Sequence, residues 1–152
     1  MRKLLVGVAV TLLCLCGMAQ ADMNPDPDAL WERIVESEPY RQWAFFPDHQ
    51  GMQEGSAPHG LYHIVYANDV AVKAGHPKGD GAVIVKENYN ADKELAAITV
   101  MYKVEGYNPE AGDWFWAKYT PDGTTLMAGK PKGCIACHTA AQSTDFIMVS
   151  GH

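Results

Sequence analysis

The chain reads as an α+β domain, an antiparallel β-sheet with flanking helices. Three observations predict this. Apolar residues recur at helical spacing near the start: Leu30, Trp31, Ile34 and Val35, with Glu32, Arg33 and Glu36 between them. The period then changes to four β-branched and aromatic runs bounded by turn residues. Those runs follow one another after the single clear helix, a pattern that favours an antiparallel sheet with helices set beside it.

Residues 1–21 read as a secretory signal. Arg2 and Lys3 form a basic start, residues 4–15 are apolar but too few to span a bilayer comfortably, and Ala19-Gln20-Ala21 is a small-residue cleavage site. Cys14 and Cys16 raise a lipoprotein alternative, but each follows Leu where a lipidation site wants a small residue. Cleavage leaves 131 residues, 22–152, enough for one domain with one core. It removes Arg2 and Lys3 and takes the net charge from −6 to −8. So acidic a chain is a poor partner for nucleic acid or an anionic membrane surface.

The helix opens at Pro27-Asp28-Ala29 and ends at Pro39. An aromatic stretch, residues 40–46, precedes a glycine-rich loop over 48–60. Residues 61–67 form a strand with Leu61, His63 and Val65 on one face and Tyr62, Ile64 and Tyr66 on the other. A short helix is expected over 68–73. Residues 82–87 and 96–104 are the next two strands, joined as a hairpin through Asn90-Ala91-Asp92-Lys93. Residues 114–119 are an aromatic strand closed by the Pro121-Asp122-Gly123 turn. A short helix is expected around residues 133–138.

That last stretch carries the chemistry. Gly133-Cys134-Ile135-Ala136-Cys137-His138 contains Cys-x-x-Cys-His, the attachment motif of a c-type haem. Cys134 and Cys137 can each form a thioether to a haem vinyl group, and His138 is placed to be the proximal iron ligand. A zinc site wants four ligands, and once the signal is gone there is no second cysteine pair. A lone disulfide between residues three apart would stabilise little. One covalent haem per chain gives the pair a reason, and export suits it.

The motif comes late. Small electron-transfer cytochromes usually carry it near the N-terminus with a methionine ligand far downstream, whereas only 14 residues follow His138. Met148 would have to fold over the edge of the macrocycle. Upstream candidates for a sixth ligand are Met101, Met127, His59, His63 and His76, each with an ordinary packing or solvated alternative. The preferred reading is a five-coordinate iron with one open face, suited to binding a small ligand. A helical bundle cytochrome with a late motif is excluded by the strand signals.

Several longer stretches carry a resemblance. They are Ser56-Ala57-Pro58-His59-Gly60, Val65-Tyr66, residues 81–89 around Lys86, residues 94–103 around Met101, residues 112–119 around Trp114, and the haem motif followed by Asp145. In these the chain resembles the cytochrome P-460 family, including the cytochromes c′-beta, over nearly all of residues 22–152. The resemblance implies a sheet-rich periplasmic haem protein, usually a homodimer, with His138 proximal to a five-coordinate iron. In cytochromes P-460 proper a strand lysine is bonded to the haem and hydroxylamine is oxidised; Lys86 matches that lysine. The c′-beta relatives bind nitric oxide beneath an aromatic cap, a role Phe45 and Phe46 could fill. The basic distal position of hydroxylamine-oxidising members matches His63, whose imidazole could exchange a proton with a bound substrate. Trp114 and Trp116 read as core or dimer surface. Three functions follow: nitric oxide capture, placed first; hydroxylamine oxidation with Lys86 joined to the porphyrin; and electron transfer to a redox partner protein.

Overall fold

The computed structural model describes residues 24–56 and 58–149, and the expected signal segment lies outside the described residues. The first helix, α1 (Pro27–Glu32), starts where the sequence places it. Asp26 caps it, its carboxylate accepting the Asp28 backbone N–H at 3.0 Å, and Pro27 occupies the first turn, where a missing N–H costs nothing. The helix then widens into a π-helical turn, Arg33–Ser37, instead of running on as regular α-helix to Pro39. Leu30 and Ile34, four residues apart, are buried beneath it.

Six strands form one antiparallel meander among the described residues: β1 (Gln53–Glu54), β2 (Tyr62–Ala67), β3 (Val83–Tyr89), β4 (Leu95–Lys103), β5 (Trp114–Tyr119) and β6 (Thr125–Gly129), each paired with the next in sequence. The α+β expectation holds, and the four predicted strands are β2 to β5. The sequence reading lacks β1, which is two residues long, and β6, an edge strand whose Leu126 and Met127 are exposed. The helix expected over 68–73 is absent. The Asn68 side chain takes over that backbone: its Oδ1 accepts from the N–H groups of Ala71 and Val83 at 3.0 Å each, and its Nδ2 donates to the Gly81 carbonyl.

Strand alternation divides the sheet into two apolar faces. The back face carries Val83, Val85, Ile98, Val100, Phe115 and Tyr119, and α1 packs on it through Leu30 and the π-helical turn through Ile34. Trp31 meets Tyr119 with ring centroids 4.9 Å apart. This face also buries Glu87, which accepts from Tyr40 Oη at 2.7 Å, Tyr89 Oη at 2.6 Å and Arg41 Nε at 2.8 Å. The front face carries Val65, Ala67, Ile84, Met101, Trp114 and Trp116 and is covered by Phe146 and Ile147. After β6 the chain turns into α2 (Lys132–His138) and a 3-10 segment, Thr139–Thr144, which leads to that cover. No helix among the described residues is long and apolar enough to cross a membrane.

Candidate functional site

A cavity of about 640 Å³ lies where α2 meets the front face of the sheet, within the range of roughly 300–1,000 Å³ usual for cofactor and small-molecule sites. Its apolar wall includes Val65, Ile84, Met101, Trp116 and Ile147. Its charged lining is one-signed, Lys86, Lys118, Lys130 and Lys132, beside the polar side chains of Asn88, Thr99, His59 and His138, with no carboxylate among the described residues that line it. In a chain of net charge −6 this is a local reversal.

Helical geometry brings the motif together. Cys134 and Cys137 are three apart on α2 and His138 is four from Cys134, so all three share one side of the helix and line the cavity. The two cysteines are not joined in a disulfide. His138 Nδ1 lies 2.7 Å from the Phe146 carbonyl oxygen. A carbonyl can only accept, so Nδ1 carries the proton and the neutral ring keeps its lone pair on Nε2, the form that ligates a metal. Burial lowers the His138 pKa, which favours that neutral form. Trp116 packs edge-on against this ring with centroids 4.6 Å apart, and its buried Nε1 has no hydrogen-bond partner among the described residues. A flat apolar macrocycle with two vinyl groups and two carboxylates fits these residues. The apolar wall would receive its faces, the two thiols its vinyl carbons, His138 its iron, and Lys118, Lys130 and Lys132 are the cations available to its carboxylates.

Lys86 projects from the front face of β3 into the cavity, in register with Val65 on β2 and Thr99 on β4. Burial lowers its pKa and raises the share of neutral amine. His59, which the sequence offered only as one of several sixth-ligand candidates, lines the same cavity. Its ring stands at right angles to that of His138 with centroids 6.4 Å apart. Burial, and next the Lys86 cation, bring its pKa down to about 4, so it is neutral at pH 7.

Other expected site residues lie elsewhere. His63 is buried on β2 but does not line the cavity. Its Nε2 meets His49 Nε2 at 2.7 Å, the rings stack 4.9 Å apart, and its Nδ1 has no hydrogen-bond partner among the described residues. Burial, then Lys86, lowers its pKa to about 4. Phe45 packs against Tyr66 on the back face, with ring centroids 5.3 Å apart. Phe46 is fully buried in the front core, and neither ring lines the cavity. Both rings, expected as a possible distal cap, pack against the sheet, Phe45 on its back face and Phe46 on its front. Met101, Met127 and Met148 line the cavity, and His76 does not. Trp114 is core, while Trp116 is cavity wall. Single-sequence reading missed the lysine rim, because Lys118, Lys130 and Lys132 come from β5 and the turn into α2 and converge only in the fold.

A family model described as Cytochrome P460 matches residues 37–149, a span that takes in all six strands, Lys86 and the Cys-x-x-Cys-His motif. No curated protein matches the chain.

Proposed function

The chain belongs to the cytochrome P460 family, which implies a haem cofactor, and we propose that it is a c-type haem protein whose iron binds nitric oxide or a related small nitrogen ligand. In this reading one haem per chain is bonded to Cys134 and Cys137, His138 is its proximal ligand, and the opposite face is open. The protein acts in the periplasm after loss of residues 1–21, as a homodimer. The observation that carries the reading is the convergence of Cys134, Cys137 and a correctly protonated His138 on one apolar cavity of haem-compatible volume. Bound there, the haem supplies ligand coordination and electron transfer. The protein's own part is to fix the ring through α2, to exclude bulk water with the Ile84, Met101 and Trp116 wall, and to balance the carboxylates with the lysine rim.

A second reading, hydroxylamine oxidation, is favoured by one observation: Lys86 lines the cavity with its amine shifted toward the neutral form. A neutral amine is the nucleophile that a bond to a porphyrin carbon requires, and the bond also needs a two-electron oxidant, such as a peroxide, to remove the displaced hydrogen as a proton with its electrons. His59, neutral and on the same wall, is a group that can accept a proton released by a nitrogen substrate.

The absorption spectrum of the purified ferrous protein separates the readings. An ordinary five-coordinate high-spin spectrum that changes on addition of nitric oxide supports ligand capture. A band shifted strongly to the red supports the Lys86 bond, and a Cys134→Ala, Cys137→Ala variant that still holds haem covalently would establish it. Sharp low-spin bands in the resting ferrous state would sink both and point to an electron carrier, with His59 as the first sixth ligand to replace.

A further inference from the structure

We propose that the buried Lys103–Asp145 ion pair is a positioning device for His138, holding the turn at residues 145–146 so that the Phe146 carbonyl accepts a hydrogen bond from His138 Nδ1–H. The inference rests on His138 being the proximal ligand.

The turn is unusual. Asp145 and Phe146 both have left-handed backbones, at φ 56° and 64°, a conformation that residues with a Cβ adopt reluctantly. Two in succession persist only where the surroundings over-determine them. Here they do. Lys103 Nζ donates to both Asp145 carboxylate oxygens, at 2.7 and 2.6 Å. The Lys78 backbone N–H donates to Asp145 Oδ2 at 2.7 Å, and Trp114 Nε1 donates to the Asp145 carbonyl at 2.8 Å. The Asp145 and Phe146 N–H groups bond back to the Gln142 and Ala141 carbonyls. Lys103, Trp114 and Asp145 are all buried. Gly112 leaves the room: a Cβ there would lie 2.9 Å from Asp145 Oδ1 and 3.0 Å from the Phe146 ring.

A buried ion pair is a poor way to gain stability alone, since apolar residues of similar volume usually serve as well. What an apolar pair could not do is grip a carboxylate from several sides and so fix the carbonyl one residue later. That carbonyl is the partner of His138 Nδ1 at 2.7 Å. A bond of this kind orients a metal-ligating imidazole and raises the basicity of its other nitrogen. Hydrogen bonding around an axial ligand is in turn a lever on haem potential. Lys103 on β4 thus acts on the iron through Asp145 and Phe146 without touching it.

The test is resonance Raman spectroscopy of the ferrous holoprotein, with the midpoint potential as a second readout. Lys103→Met is compared with the double variant Lys103→Met/Asp145→Asn, which leaves no unpaired buried charge and protects the fold. In either variant the iron–histidine stretch is expected to fall by several wavenumbers and the potential to rise, with unchanged far-ultraviolet circular dichroism. Folded, haem-loaded variants with frequency and potential at wild-type values would overturn the inference. If Lys103→Met does not fold, the double variant decides by the same two outcomes. A high-spin ferrous wild-type protein with no iron–histidine mode would instead sink the proximal assignment, and the inference with it.

Discussion

Glu87 offers the sharpest quantitative test of how the back face is held. Its carboxylate is 1% exposed and accepts short hydrogen bonds from Tyr40, Tyr89 and Arg41. Arg41 Nη2 also reaches Oε1 at 2.7 Å. Burial alone would raise the carboxyl pKa. The bonds from Tyr89, Tyr40 and Arg41, with the Arg41 charge, outweigh it and hold the pKa below the usual 4.5. Glu87→Gln keeps the shape and removes the charge. Bonds to a charged acceptor are worth about 1.5–3 kcal/mol each against about 0.5–1.5 for neutral ones, so demoting three costs roughly 3 kcal/mol. That is a sizeable part of the 5–15 kcal/mol typical of a whole domain, and in a chain of this size it lowers Tm by roughly 10 °C. The assay is urea unfolding followed by tryptophan fluorescence at pH 7 and at pH 3.5. Because the folded pKa is depressed, the stabilisation is present above about 4.5 and is lost as pH falls through the folded value. The gap between wild type and variant is therefore expected to be wide at pH 7 and to narrow at pH 3.5. A gap under about 0.5 kcal/mol at pH 7, or one that does not change with pH, would refute the argument. Haem spectra of the variant are expected to be unaltered, since Glu87 faces away from the cavity.

Three further outcomes are expected. Lys86→Arg keeps a cation on β3 but supplies no neutral amine, so in the Cys134→Ala, Cys137→Ala background it should abolish any covalently retained haem, read by mass spectrometry of the denatured protein. Phe46→Ala should cost about 3–5 kcal/mol by emptying a fully buried site while leaving the rate of nitric oxide binding within about twofold; a large rate change would place the ring in the ligand path. His63 has a folded pKa near 4 against the usual 6.5, so the unfolded chain binds the proton first and stability should fall as pH drops from 6.5 toward 4. Its charged and titratable neighbours are Lys86, His49 and His59; His63→Gln should flatten that slope in urea midpoints, and an unchanged slope would assign it elsewhere.

Much of the fold was legible because β2 to β5 are long, apolar on both faces and bounded by turns, and β5 begins at Trp114 and ends at Tyr119 as expected. β6 was hidden because Leu126, Met127 and Ala128 are exposed in succession, so no alternation marks it. The absent 68–73 helix shows a local side chain defeating propensity: Asn68 bonds Ala71 and Val83 at once, and no window of neighbouring residues reveals that the second partner lies 15 residues on. The site divides the same way. Cys134, Cys137 and His138 are contiguous and were visible as a motif. Lys86 was visible through resemblance and does line the cavity. His63 and His59 differ by four positions in one loop-and-strand stretch, and the loop geometry around Gly60, at φ 84°, brings His59 rather than His63 to the cavity wall. The Lys103–Asp145 pair joins residues 42 apart and leaves no local trace.

Lys86 and Glu87 stand next to each other on β3, and the pleat sends the ammonium to the cavity and the carboxylate into the cluster of tyrosines. Sliding β3 by one residue against β2 and β4 would exchange them. It would strand a lysine beside Tyr40 and Arg41, where cation would meet cation, and thrust an acid into a pocket whose other charged groups are all basic. Each face alone would penalise the slip; together they penalise it twice, at a position where Val83, Ile84 and Val85 are apolar in either direction and could not object. The same two charges that serve separate faces thus lock the pairing of the central strand, so a change to either one threatens the alignment on which the other depends.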